Sequence, residues 1–186
     1  MKKVVAFANA SAKRHAVFVE ELKGTSLQGI CETRWVEKHD GHLQFQGSNL
    51  VTICTALEKI RSWNDSKTAW DAQCLQYALR SSEFIISSIC LNNILGTTVS
   101  LSRLLQSSSI DMKKATDPMN DTMTILEQKR TNAESIFQQL FLEAKEIAEQ
   151  LNTELRSPRI VFRQINRPNN QLAQTVEEYF RGSIYI

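Results

Sequence analysis

Six glycines and three prolines in 186 residues leave the backbone few places to turn. Glycine and proline are the strongest local breakers of regular structure. A chain so poor in both is committed to long helices, and the reading is an all-α, bundle-like fold with little or no sheet. The composition suits a packed core, with 42% hydrophobic and 23% charged residues. A formal net charge of +2 gives no global basic field, so any claim of nucleic-acid contact must rest on a local patch. The four cysteines (Cys31, Cys54, Cys74, Cys90) form no C-x-x-C pair. Three of them sit among apolar residues, as small hydrophobes do in a reducing compartment. There is no signal peptide pattern and no apolar stretch of about 18–20 residues, as a membrane span needs. The sequence reads as soluble and intracellular, with no membrane partner.

Periodicity then orders the helices. Residues 2–22 read as helix interrupted near Ala10–Ser11, and Gly24-Thr25-Ser26 ends it. Between Leu43 and Ile60 the positions Leu50, Ile53, Cys54, Leu57 and Ile60 follow the i, i+3, i+4, i+7 rule. Asp65 or Ser66 is placed to cap the next helix, expected from Thr68 towards Thr98. Its later half, "FIISSICLNNIL", is apolar nearly all round and suits a central buried helix. A strand at 84–91 is rejected because the flanks are helical. Gly96 with Thr97, Thr98 and Val99 marks an expected kink. Asp117-Pro118 reads as a helix start, after which Met119, Met123, Leu126, Arg130, Ala133, Phe137, Leu140, Ala144, Ile147 and Leu151 form one stripe. A single helix of this length would run about 50 Å across the bundle. Alanines and an arginine in the seam make coiled-coil dimerisation the weaker alternative. "TVEEYF" is a short helix, and the apolar "SIYI" reads as β-prone.

The chemistry-bearing candidates are few. His39 and His42 stand three apart with Cys31 nearby, but zinc wants three or four ligands at paired spacings. Solvated histidines near a helix start are the preferred reading, and no metal is assigned. No carboxylate triad, glycine-rich phosphate loop or nucleophile motif is present, so no catalytic residue, cofactor or small-molecule substrate is expected. "RSPRIVFRQINRPNN" carries Arg156, Arg159, Arg163 and Arg167 without an acid. Those arginines either track a phosphate backbone or are neutralised by Glu143, Glu146, Glu149 and Glu154 of the preceding helix. Arg34-Trp35, with Thr33 able to cap, is either a core tryptophan or a place where a base stacks while the guanidinium holds phosphate.

The segment "LQGICETRWVEKHDGHLQF" resembles the Thr-Arg-Trp segment of hAT-superfamily transposases and of host proteins domesticated from them. "ALEKIRSWND", "AWDAQCLQYALRSSEFIISSICLNNIL", "LSRLLQSSSIDMKKA" and "FRQINRPNN…VEEYFRGSIYI" look like the successive blocks of one of its subfamilies. That is the group of the zinc finger MYM-type protein 1-like proteins and the THAP-domain repressor of the inhibitor of the protein kinase. The similarity covers nearly the whole chain. It implies the helical insertion domain of an interrupted RNase H-like core. Residues 1–30 would be the helical lead-in and 31–156 the insertion domain. Residues 157–186 would be an Arg-rich connector, a short helix and the start of a return to the core sheet. By the same resemblance Trp35 and Arg34 match the residues that stack on an extruded base and hold the DNA hairpin. The catalytic acids fall outside this segment, so no enzyme is expected. The implied setting is nuclear, with transposon-end-like DNA, protein partners or self-association as the candidate contacts. A helical protein-interaction scaffold without DNA contact is the alternative.

Overall fold

The computed structural model describes residues 1–30, 35–107, 112–158 and 175–185, with backbone only at 35–38 and 112–115. Among the described residues there is no strand. Two short helices open the chain, α1 (Lys2–Asn9) and α2 (Ala12–Glu21), separated at Ser11 by extended backbone. Lys23 and Gly24 then take positive φ, and Gly24 N–H donates back to the Val19 carbonyl, closing α2 with a Schellman-type turn. α1 buries Val4, Val5, Phe7 and Ala8, the i, i+1, i+3, i+4 set of one helical face.

The segment from Leu27 to Ile30 is held over α3 (Trp35–Leu43) by Gln44. Its side chain accepts from Gln28 N–H at 2.6 Å and donates to the Gln28 carbonyl at 3.2 Å. Gly41 makes this approach close, since a Cβ there would sit 3.0 Å from Ile30 Cγ1. α4 (Ser48–Arg61) then starts later than its periodicity suggests, because residues 44–47 turn the chain. Leu50, Ile53, Cys54, Leu57 and Ile60 are all buried as their spacing requires. Asp65 caps α5 (Ser66–Leu79) through Lys67 N–H at 3.2 Å and Thr68 Oγ1 at 2.6 Å.

The helix expected from Thr68 towards Thr98 is in fact two. Ser81 adopts extended backbone and its hydroxyl accepts from Phe84 N–H, so α6 (Ser82–Leu105) begins afresh. α6 runs straight through the expected kink at Gly96. Thr97 and Thr98 return their hydroxyls to the carbonyls of Asn93 and Leu95, and Gly96 has open space around it. By length and composition α6 is also apolar enough to cross a membrane, which corrects the expectation that no such stretch exists. In the fold it is the central helix, packed by α3, by α7 (Met112–Thr131) and by α8 (Ala133–Gln150). Ile85, Ile86, Ile89 and Cys90 are buried in it, while Leu91 and Ile94 keep part of their surface.

The single long helix from Pro118 is likewise two. α7 starts at Met112, with Pro118 inside it, because Met-Lys-Lys-Ala are good helix formers and the proline removes one backbone bond only. Asn132 then interrupts the stripe. Its side-chain amide takes the Gln128 carbonyl at 3.0 Å, competing with the backbone ladder. The two halves of the stripe fare differently: Phe137, Ala144, Ile147 and Leu151 are buried, whereas Met119 and Met123 are exposed. At the end, α9 (Val176–Phe180) has the full capping box of Thr175 and Glu178. The terminal apolar run does not extend as a strand. Arg181–Tyr185 forms a π-helical turn that lays the Tyr185 ring 5.7 Å from Phe137 and pairs Arg181 with Glu134.

Candidate nucleic-acid interface

The histidine candidates are neither solvated nor ligand-like. His39 and His42 are both buried on α3, which corrects the sequence expectation. His42 Nε2 lies 2.9 Å from the Ser88 carbonyl and 2.8 Å from Gln46 Nε2, and its Nδ1 faces Met1 Sδ at 3.2 Å. His42 and Gln46 together pin α3 to α6 at Ser88, the Gln46 amide donating to the Ser88 carbonyl and hydroxyl beside the imidazole. Burial pushes the His42 pKa down, against the raising effect of the Ser88 hydrogen bond. With Nε2 engaged, this side chain is structural. Cys31 lies outside the described residues, and among those described no three His, Cys, Asp or Glu side chains gather as a metal set. Cys54 and Cys90 are buried, and burial pushes each thiol up to about 11. Cys74 is exposed, contrary to its reading as a core hydrophobe.

Of the arginine candidates, Arg34, Arg159, Arg163 and Arg167 lie outside the described residues. Trp35 is the first residue of α3, and its side chain lies outside them as well. Arg156 is described, and its surroundings are informative. An open cleft of about 780 Å³ is lined by Arg61, Arg80 and Arg156, with Tyr77, Ser81, Ser82, Glu83 and Glu154 around them.

Local folding explains this convergence. Arg61 is the last residue of α4 and Arg80 caps the end of α5, where cations favour the negative end of the helix dipole. α8 ends with Asn152 at positive φ, so the chain reverses there. Arg80 reaches across to the carbonyls of Leu151 and Asn152, clamping the end of α8 to the end of α5. The Arg156 backbone N–H then donates to Ser82 Oγ at 2.8 Å, which brings the third arginine to the start of α6. Three segments far apart in sequence thus deliver guanidinium groups to one place.

The neutralising reading of Arg156 is seen in part. Its guanidinium pairs with Glu154 at 2.7 Å, but that acid lies beyond α8 rather than on it. Glu143 has its carboxyl held above the usual range by partial burial and by repulsion from Glu146. Arg61 pairs with Glu58 at 3.3 Å, both side chains well exposed. Exposed pairs of this kind are worth about 0–1 kcal/mol and exchange readily for other anions. Arg80 meets carbonyl oxygens, and no carboxylate pairs with it among the described residues.

Sequence reasoning missed Arg61, Arg80 and Tyr77. The available signal was positional: "KIRS" and "ALRSS" both set an arginine before a serine at a helix end.

The sequence is 24% identical over 170 residues, 88% of the chain, to the human 52 kDa repressor of the inhibitor of the protein kinase. It is 23% identical over 172 residues, 89% of the chain, to the protein of the same name from mouse. The chain spans about a fifth of the length of these curated relatives, the matches covering 22% of each. No protein-family model matches the chain, and no solved structure matches it.

Proposed function

We propose that this chain is the helical insertion-domain segment of a transposon-derived, hAT transposase-like nuclear regulator, and that it touches DNA without cutting it. The division into a lead-in (1–30), an insertion domain (31–156) and an Arg-rich connector (157–186) belongs to the same proposal. Two things support the reading: the similarity to proteins named as repressors, and the all-helical architecture. The observation that carries the DNA contact is the meeting of Arg61, Arg80 and Arg156 in one open cleft. Guanidinium groups converging from two helix ends and the segment after α8 suit a phosphate backbone, which binds by releasing counterions.

The test is fluorescence anisotropy of a labelled hairpin-ended DNA at two salt concentrations. Binding should weaken steeply with salt, and the double substitution Arg61→Ala with Arg156→Ala should flatten the salt dependence by about two charges' worth. Both side chains are exposed, so the fold should survive. Absence of binding at low salt would end this reading. With Mg²⁺ or Mn²⁺ present the labelled strand should stay intact, and chelator-sensitive cutting would overturn the non-catalytic part.

One observation favours a second reading, a protein-interaction scaffold. Leu105, Met119, Met123 and Ile125 are exposed aliphatic side chains on α6 and α7, where a partner helix would find apolar surface.

A further inference from the structure

The cleft has a neighbour that phosphate contact alone does not explain. Trp70 and Tyr77 on α5 keep 64% and 82% of their surfaces exposed, although large aromatics usually bury most of theirs. They are seven residues apart, two turns of helix, so they share one face and sit about 10 Å apart along its axis. The opposite face, through Ala72, Gln76 and Leu79, does the packing, with Gln76 bonded to the Cys54 carbonyl at 3.2 Å. The fold therefore does not need either ring. Trp63, by contrast, is half-buried and carries the Lys13 ammonium 4.3 Å over its ring.

Tyr77 lines the arginine cleft, and between the rings lie the exposed Gln73 and Cys74. This face shows no exposed leucine, isoleucine, valine or methionine, the residues that fill an apolar protein-docking patch. Its makeup is aromatic rings set among polar groups beside cations, the combination that holds single-stranded nucleic acid. A spacing of about 10 Å matches about three stacked steps at 3.4 Å each.

We infer that unpaired bases stack on the Trp70–Tyr77 face of α5 while the strand's phosphates lie against Arg61, Arg80 and Arg156, so that the cleft selects single-stranded over duplex DNA. This inference rests on the DNA-contact reading above and names its substrate class.

The experiment compares a labelled oligodeoxythymidylate of about 15 nucleotides with a duplex of equal length, a size within the range for single-strand sites. The whole chain is used, with Trp70→Ala, Tyr77→Ala and Tyr77→Phe. The single strand should bind more tightly. Each alanine substitution should weaken it by about 5- to 150-fold, the loss of one stacked base, and weaken the duplex by much less. Tyr77→Phe, which keeps the ring, should bind like the parent chain. Equal affinity for both DNAs, or alanine variants that bind single strands normally, would overturn the stacking face while the arginine contact stands. Failure of both DNAs to bind at low salt would remove the DNA reading itself, and the aromatic face with it.

Discussion

α7 and α8 follow each other in the chain, have 20 and 18 residues, and share one apolar stripe in the sequence. In the fold they have little else in common. α8 buries Phe137, Phe141, Ala144, Ile147 and Ala148, because α6 and the closing π-helical turn cover that face. Among the described side chains of α7 only Thr122 is buried, and Met119, Met123 and Ile125 are exposed. Its neighbour α6 changes in the same way: Ile85 to Leu95 supplies buried residues, and none between Gly96 and Leu105 is fully buried. Helical spacing states which side chains share a face. It does not state that anything lies opposite.

If α8 holds the fold and α7 does not, the largest single effect should come from Phe137. It is fully buried, stacks on Phe141 with ring centroids 6.0 Å apart, and supports Tyr185. Phe137→Ala should cost about 3–5 kcal/mol, measured by urea denaturation with an unchanged slope. That is a large share of the stability of a domain this size. A loss below about 1 kcal/mol would mean that the α8 face is not where the fold is held.

The same contrast separates what could be read in the sequence from what could not. The face of α4 was legible because it is a short amphipathic stripe with a partner. The Asp65 cap and the short helix at "TVEEYF" were legible because they are local. Breaks decided by a single side chain were not. Ser81 ends one helix and starts the next inside a continuous apolar pattern, and the cue was only "SSEF". Composition alone makes the terminal "SIYI" β-prone. Its tyrosine packs on Phe137 from a π-helical turn instead, a tertiary contact that local propensity does not contain. Arg156 is legible as part of a run of arginines. Arg80 is not, since it meets Arg156 only through the clamp between the ends of α5 and α8, and Arg61 reaches the same cleft from the end of α4.

The α3–α6 contact offers an effect of intermediate size. His42 is buried and neutral, its pKa lowered by loss of solvent. The unfolded chain protonates near the ordinary value of about 6.5, before the folded chain does. Stability should therefore be independent of this group above about pH 6.5 and fall as the pH drops below it. The slope should be at most about 1.4 kcal/mol per pH unit. His42→Phe should remove that slope, with Gln46 still bonded to Ser88. Denaturation midpoints of both chains between about pH 5 and 8 provide the check. An identical slope in the variant would assign the effect to other groups.

The smallest expected effect is the sharpest probe of the uncovered stripe. Met123 is 58% exposed, and glutamine is about as good a helix former as methionine. Met123→Gln should change stability by no more than about 0.5 kcal/mol if the side chain meets only water. A seam covered by a second copy of the chain behaves otherwise. The substitution would then cost more at high protein concentration than at low, because association contributes to stability by mass action. Denaturation at two concentrations, with sedimentation of both chains, tells these apart. A concentration-dependent loss would give the stripe a partner. It would also show that α7 differs from α8 only in where its partner comes from.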